Sequence, residues 1–237
     1  MNLNETIAAV SERIAAAARR AGREPGEIGL VAATKVQTSD TIRAAIAAGI
    51  RICGENRVQE MTAHLDDDAY AGARLHLIGH LQTNKVKQVA GRVDLIESVD
   101  SIRLLEGISK RAGELELVQD ILLEVNIGGE ASKGGIDPGQ LPFLAEKALE
   151  LPHIRLRGLM CIPPAAAPGG SNREFFAKTR QLVVDISNKI ADNNPDMDCL
   201  SMGMSGDFED AVEEGATLVR VGTALFGPRP PMTGSRN

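Results

Sequence analysis

The chain has 237 residues, 43% of them apolar, with 26 Lys and Arg against 32 Asp and Glu and a formal charge of -6. That length is normal for one α/β barrel, and the charge argues against a nucleic-acid partner, which calls for a basic surface. Charged residues interrupt the apolar runs too often for a membrane span, and Met1-Asn2-Leu3-Asn4-Glu5 is too polar for a leader, so a soluble, cytoplasmic protein is expected.

In chain order, Glu5–Arg20 reads as an amphipathic helix, because Ile7, Val10, Ile14 and Ala17 recur at helical spacing. Gly22 stops it and Pro25-Gly26 turns the chain. Eight strand-like runs follow: Gly29–Lys35, Ile50–Glu55, Arg74–His80, Val93–Val99, Gln119–Asn126, Ile154–Cys161, Cys199–Ser205 and Leu218–Phe226. Helical patterns fill the gaps at Ser39–Ala48, Arg57–His64, Lys85–Ala90, Ser101–Ala112, Gln140–Leu151, Arg173–Asp192 and Asp207–Glu214. Ser39-Asp40, Asp100-Ser101 and Ser171-Asn172 are N-cap material.

Strict alternation demands parallel strands with right-handed crossovers, and eight such units predict a (β/α)8 TIM barrel with an extra N-terminal helix. An open doubly wound sheet would bring a glycine fingerprint after its first strand, and Thr34-Lys35-Val36-Gln37 is not one. The expected domain spans 1–237, with 228–237 a flexible tail. Two loops, within 127–137 and 162–172, are long and rich in small residues; both fall on the C-terminal face of such a barrel, where active-site loops sit.

Cys53, Cys161 and Cys199 form no Cys-x-x-Cys pair and read as small core residues. His76 and His80 fall on one face of a predicted strand, with no nearby acid or cysteine to complete a metal site.

Lys35 is the first candidate for chemistry. Val31, Ala33 and Lys35 share one strand face, and if that face is the lumen the amine enters the top of the barrel. Partial burial favours a neutral lysine amine, the form that attacks a carbonyl to give a Schiff base. Taken alone, it reads first as a lysine snorkelling at a strand end. The last strand adds to it. Gly222 lets backbone N–H groups approach an anion, Thr223 adds a hydroxyl, and Ser205 stands at a helix start. In α/β barrels the loops after strands seven and eight often hold a phosphate. Together these suggest a phosphate-bearing aldehyde. Arg220, buried on a strand, needs a partner, and the ring nitrogen of pyridoxal phosphate is one. A structural ion pair with Glu55 or Glu124 is the other reading.

Further blocks carry a resemblance. They are Thr34-Lys35, Cys53-Gly54-Glu55-Asn56-Arg57-Val58-Gln59-Glu60, Ile78-Gly79-His80-Leu81-Gln82-Thr83-Asn84-Lys85, Val125-Asn126-Ile127-Gly128, Arg157-Gly158-Leu159-Met160, Leu200-Ser201-Met202-Gly203-Met204-Ser205, and Val219-Arg220-Val221-Gly222-Thr223-Ala224-Leu225-Phe226-Gly227. In order and over nearly the whole chain, they resemble the pyridoxal phosphate homeostasis protein family. The resemblance implies a barrel of the alanine-racemase N-terminal type holding pyridoxal 5'-phosphate. It matches Lys35 to the Schiff-base lysine and Asn56 to a cofactor-pocket residue. Ser205, Gly222 and Thr223 match the phosphate binders, and Arg220 the ring-nitrogen partner. It implies storage or delivery of the cofactor, with apo-enzymes as possible recipients and a monomer or weak dimer as the assembly. An amino-acid racemase or lyase is the alternative. Related racemases bring a second acid/base on a further β-rich domain, which is not expected here. A Schiff-base aldolase would share Lys35 but leave Arg220 unexplained.

Overall fold

The computed structural model describes residues 2–130, 133–165, 170–190 and 197–228. Its sheet is a closed barrel in which each strand pairs in parallel with the next in sequence, and the last with the first. The strands are β1 (Gly29–Ala33), β2 (Ile52–Glu55), β3 (Arg74–Leu77), β4 (Leu95–Val99), β5 (Gln119–Val125), β6 (Ile154–Cys161), β7 (Cys199–Ser201) and β8 (Leu218–Val221). The helices are α1 (Leu3–Arg20), α2 (Ser39–Ala47), α3 (Val58–Asp66), α4 (Val86–Val89), α5 (Ile102–Glu114), α6 (Leu141–Leu149), α7 (Arg173–Ile190), α8 (Phe208–Glu213) and α9 (Thr223–Phe226). This is the expected (β/α)8 barrel with its additional N-terminal helix.

Burial on both faces explains why the strands read as apolar runs. Val31, Ala33, Ile52, Ile78, Leu122 and Met160 belong to a small inner cluster. A much larger cluster, including Ala32, Cys53, Leu77, Ile96 and Leu123, fills the space between sheet and helices. Helix α1 begins with a reciprocal cap between Asn2 and Glu5 and buries Ile7, Val10, Ile14, Ala17 and Ala18. Arg13 pairs with Glu209 at 3.0 Å and Arg20 with Glu213 at 2.7 Å, which tie α1 to α8.

Most predicted strands stop early at their C-terminal ends. The run at Gly29–Lys35 ends at Ala33. Thr34 still donates its N–H to the Gly54 carbonyl at 3.0 Å, but Gln37 N–H then turns back to the Thr34 carbonyl at 3.0 Å. Lys35 therefore sits in a tight turn rather than on the strand. The run at Leu218–Phe226 divides: β8 ends at Val221, and Thr223–Phe226 is helical. The run at Arg74–His80 likewise ends at Leu77, so His80 leaves the strand that carries His76 and is exposed. For α2 the cap is Thr38, whose side chain accepts the Thr41 N–H, rather than Ser39. Most of the tail, 229–237, lies outside the described residues, as do 131–132, 166–169 and 191–196. Among the described residues no helix is long and apolar enough to cross a membrane.

Candidate functional site

The C-terminal ends of β1, β2, β3, β6, β7 and β8 surround a cavity of about 320 Å³. Lys35, Asn56, Ser205, Arg220, Gly222 and Thr223 all line it. All six candidates from the sequence thus meet in one place. Ala33, Ile78, Ile162 and Met204 supply apolar wall, and Gly206 part of the rim; no sequence signal singled out Ile78, Ile162 or Met204.

Lys35 is half-buried in the turn after β1. The next residue, Val36, has φ 59 and an exposed side chain. A β-branched residue in the left-handed region costs of order 1–3 kcal/mol and is found where the surroundings impose it. The Val36 N–H donates to Glu60 Oε2 at 3.2 Å, which holds the turn from α3.

Asn56 follows β2. Its backbone is crossed by Gly79, where a Cβ would lie 2.2 Å from the Asn56 carbonyl oxygen, so only glycine fits. The Asn56 Oδ1 atom is buried and has no hydrogen-bond partner among the described residues. Such an orphan acceptor costs about 1–3 kcal/mol, and a ligand donor would satisfy it.

Ser205 and Gly222 face each other across the rim. Ser205 Oγ accepts the N–H groups of Gly222 and Ala224, each at 3.2 Å. A Cβ on Gly222 would point at Ala33 Cβ from 3.4 Å, and one on Gly206 would meet nothing within 4 Å. The result is a shallow cluster of backbone N–H groups converging on one hydroxyl oxygen, a place suited to an anion's oxygen.

Arg220 rises from β8 inside the lumen and is 4% exposed. It donates to Ser201 Oγ and, at 2.8 Å, to the Cys161 carbonyl. Its carboxylate neighbour is Glu97, at 3.9 Å. The other reading of Arg220, a structural ion pair with Glu55 or Glu124, is corrected in its partner: the carboxylate beside it is Glu97. Glu55 points out of the lumen, where Thr34 Oγ1 and the Tyr70 hydroxyl donate to it at 2.6 and 2.8 Å. Glu124 makes no ion pair with Arg220 among the described residues.

The acids of the lumen differ in charge preference. Burial opposes charge on Glu97, but the hydrogen bond and charge of His76, with Arg220 and Ser201, hold its carboxyl below the usual range. Burial and then the charge of Asp100 push Glu124 up, only partly offset by Arg220 and His80. The cysteines behave as core residues. Burial pushes the thiols of Cys53 and Cys199 up to about 12 and that of Cys161 up to about 11. Among the described residues no group of His, Cys, Asp and Glu is arranged to hold a metal.

Residues 6–230 match the family described as alanine racemase, N-terminal domain. The chain is 44% identical over 229 residues to a protein of Aquifex aeolicus (strain VF5) named pyridoxal phosphate homeostasis protein, covering 97% of this chain and 99% of that one. A protein of the same name from Escherichia coli (strain K12) is 40% identical over 232 residues, covering 96% and 97%. Among solved structures, PipY of Synechococcus elongatus PCC7942, described with PLP bound, superposes with a TM-score of 0.81 at 34% identity, covering 95% of this chain and 100% of that one. With its barrel, its convergent site and this breadth of similarity, the chain belongs to the pyridoxal phosphate homeostasis protein family.

Proposed function

We propose that this protein binds pyridoxal 5'-phosphate as a Schiff base on Lys35 and stores or delivers it within the cytoplasm. The supporting observation is the convergence of Lys35, Arg220, Ser205 and Gly222 on one cavity that also holds the orphan acceptor of Asn56. Relatives named for pyridoxal phosphate homeostasis, and a similar structure described with PLP, support the same reading.

When bound, the cofactor supplies an aldehyde that a primary amine captures and an aromatic ring that withdraws electrons. Lys35 supplies the amine from a turn at the mouth of the barrel. Ser205, Gly222 and Thr223 cradle the phosphate with hydroxyl and backbone donors. Asn56 accepts a hydrogen bond from the ligand. Arg220 donates to the ring nitrogen and, because a guanidinium stays charged, keeps that nitrogen unprotonated. A ring held this way withdraws electrons weakly, which suits holding over turnover.

Carriage is favoured over the alternative, a racemase or lyase. Proton exchange at a substrate carbon from both faces needs two acid/base groups. Among the described residues that line the cavity, Lys35 is the one side chain suited to that task. The recipients would be apo-enzymes, and the carrier a monomer or weak dimer.

Titration of the purified protein with pyridoxal 5'-phosphate, followed by absorbance and by incubation with single L-amino acids in deuterated water, tests the reading. A saturable near-visible band without α-proton exchange is expected. No band at saturation would overturn cofactor binding, and exchange would favour the racemase or lyase.

A further inference from the structure

The interior of the barrel contains a polar chain that the apolar packing around it does not require. Arg220 donates to Ser201 Oγ. The Ser201 hydroxyl must then send its own proton elsewhere, and Glu97 Oε2 lies 2.6 Å away. The other Glu97 oxygen is 2.7 Å from His76 Nδ1. A carboxylate cannot donate, so His76 carries its proton on Nδ1. The order is therefore Arg220 to Ser201 to Glu97, met from the other side by His76, with Ser201 and His76 both donating to one carboxylate. Ser201 and Glu97 are 0% exposed and His76 3%.

The chain links two cavities. Arg220 lines the upper one, while His76 lines a second cavity of about 360 Å³ at the N-terminal ends of the strands. Against well-packed apolar residues, buried ion pairs add little stability and often subtract from it. What such an array does supply is a single orientation for the group at its end.

We propose that Glu97, Ser201 and His76 are positioning residues that fix the Arg220 guanidinium where it donates to the cofactor's ring nitrogen. This rests on the pyridoxal phosphate reading of the site. Two N–H groups of Arg220 are taken by Ser201 and Cys161, so those left for a ligand point in a direction set by the chain. In Glu97→Gln an amide NH2 replaces one carboxylate oxygen, so Ser201 or His76 loses its acceptor there and must turn its proton elsewhere, and the array loses its single order.

The test compares two ligands: pyridoxal 5'-phosphate and its 1-deaza analogue, which has carbon in place of the ring nitrogen. Glu97→Gln is expected to weaken the natural cofactor about tenfold and to shift its absorbance maximum, with less than about a twofold effect on the analogue. Ser201→Ala should act in the same sense, more weakly, and Ser201→Thr, which keeps the hydroxyl, should restore binding. Equal losses for both ligands, or no loss for either, would overturn the proposal. Circular dichroism checks folding, and if Glu97→Gln does not fold, the Ser201 pair decides by the same criteria. A wild type that binds neither ligand overturns the cofactor reading itself, and the positioning role with it.

Discussion

Ser205 Oγ accepts the backbone N–H of Gly222 at 3.2 Å, joining the turn after β7 to the turn after β8. The hydroxyl thus holds in place the N–H groups of the proposed anion cradle. Ser205→Ala should reduce affinity for pyridoxal 5'-phosphate about tenfold, as expected for a hydrogen bond to a charged group. Gly222→Ala should fold, because its Cβ would be 3.4 Å from Ala33 Cβ, yet bind less tightly because the methyl narrows the cradle. Absorbance titration checks both, and an unchanged dissociation constant in both would place the phosphate elsewhere.

Asn56 gives a prediction of opposite signs. Its Oδ1 is buried without a partner among the described residues. Asn56→Ala removes that cost, so the free protein should lose no stability and could gain about 1 kcal/mol. Stabilisation by added cofactor should shrink at the same time. Thermal melts with and without pyridoxal 5'-phosphate measure both. A variant melting lower without ligand, and with the full ligand-induced shift, would show that Asn56 is purely structural.

Glu124 sets a pH dependence. Burial, with Asp100 next, raises its folded pKa above the ordinary 4.5. The folded protein then binds the proton more readily than the unfolded chain, so stability falls as pH rises from that ordinary value through the folded one. Glu124→Gln has no such loss. Its melting temperature should exceed that of the wild type at about pH 7, and the gap should close below about pH 4.5. A gap independent of pH would point to packing instead. Glu97 contributes in the opposite direction: its lowered pKa stabilises the fold above the ordinary range and that contribution is lost in acid.

The cysteines should be slow nucleophiles. With thiols pushed up to about 11 or 12 by burial, almost none is thiolate at about pH 8. Iodoacetamide should label the native protein far more slowly than the same protein in denaturant. Rapid native labelling of Cys199, which is partly exposed, would contradict this.

The barrel was legible because parallel strands buried on both faces leave runs such as Leu95-Ile96-Glu97-Ser98-Val99 between helical patterns. The site candidates were legible because Lys35, Ser205 and Gly222 follow strand ends, and every such end opens on the same face. Strand ends themselves were read too long, since a turn such as Thr34–Gln37 depends on one backbone bond and not on composition. The partner of Arg220 was not legible. It depends on which inward residues come level across the lumen, a consequence of strand stagger that no local pattern records. The clue that was available is the lone acid in the apolar run of β4, matched by the lone histidine in Leu75-His76-Leu77 of β3.

The central claim concerns Lys35. The most direct measurement is borohydride reduction of the protein saturated with pyridoxal 5'-phosphate, followed by peptide mass analysis, on the wild type and on Lys35→Ala. One phosphopyridoxyl group on the Lys35 peptide is predicted, with the near-visible band and the label both absent from the variant. A label on another lysine, or equal labelling of Lys35→Ala, would contradict a Schiff base at Lys35.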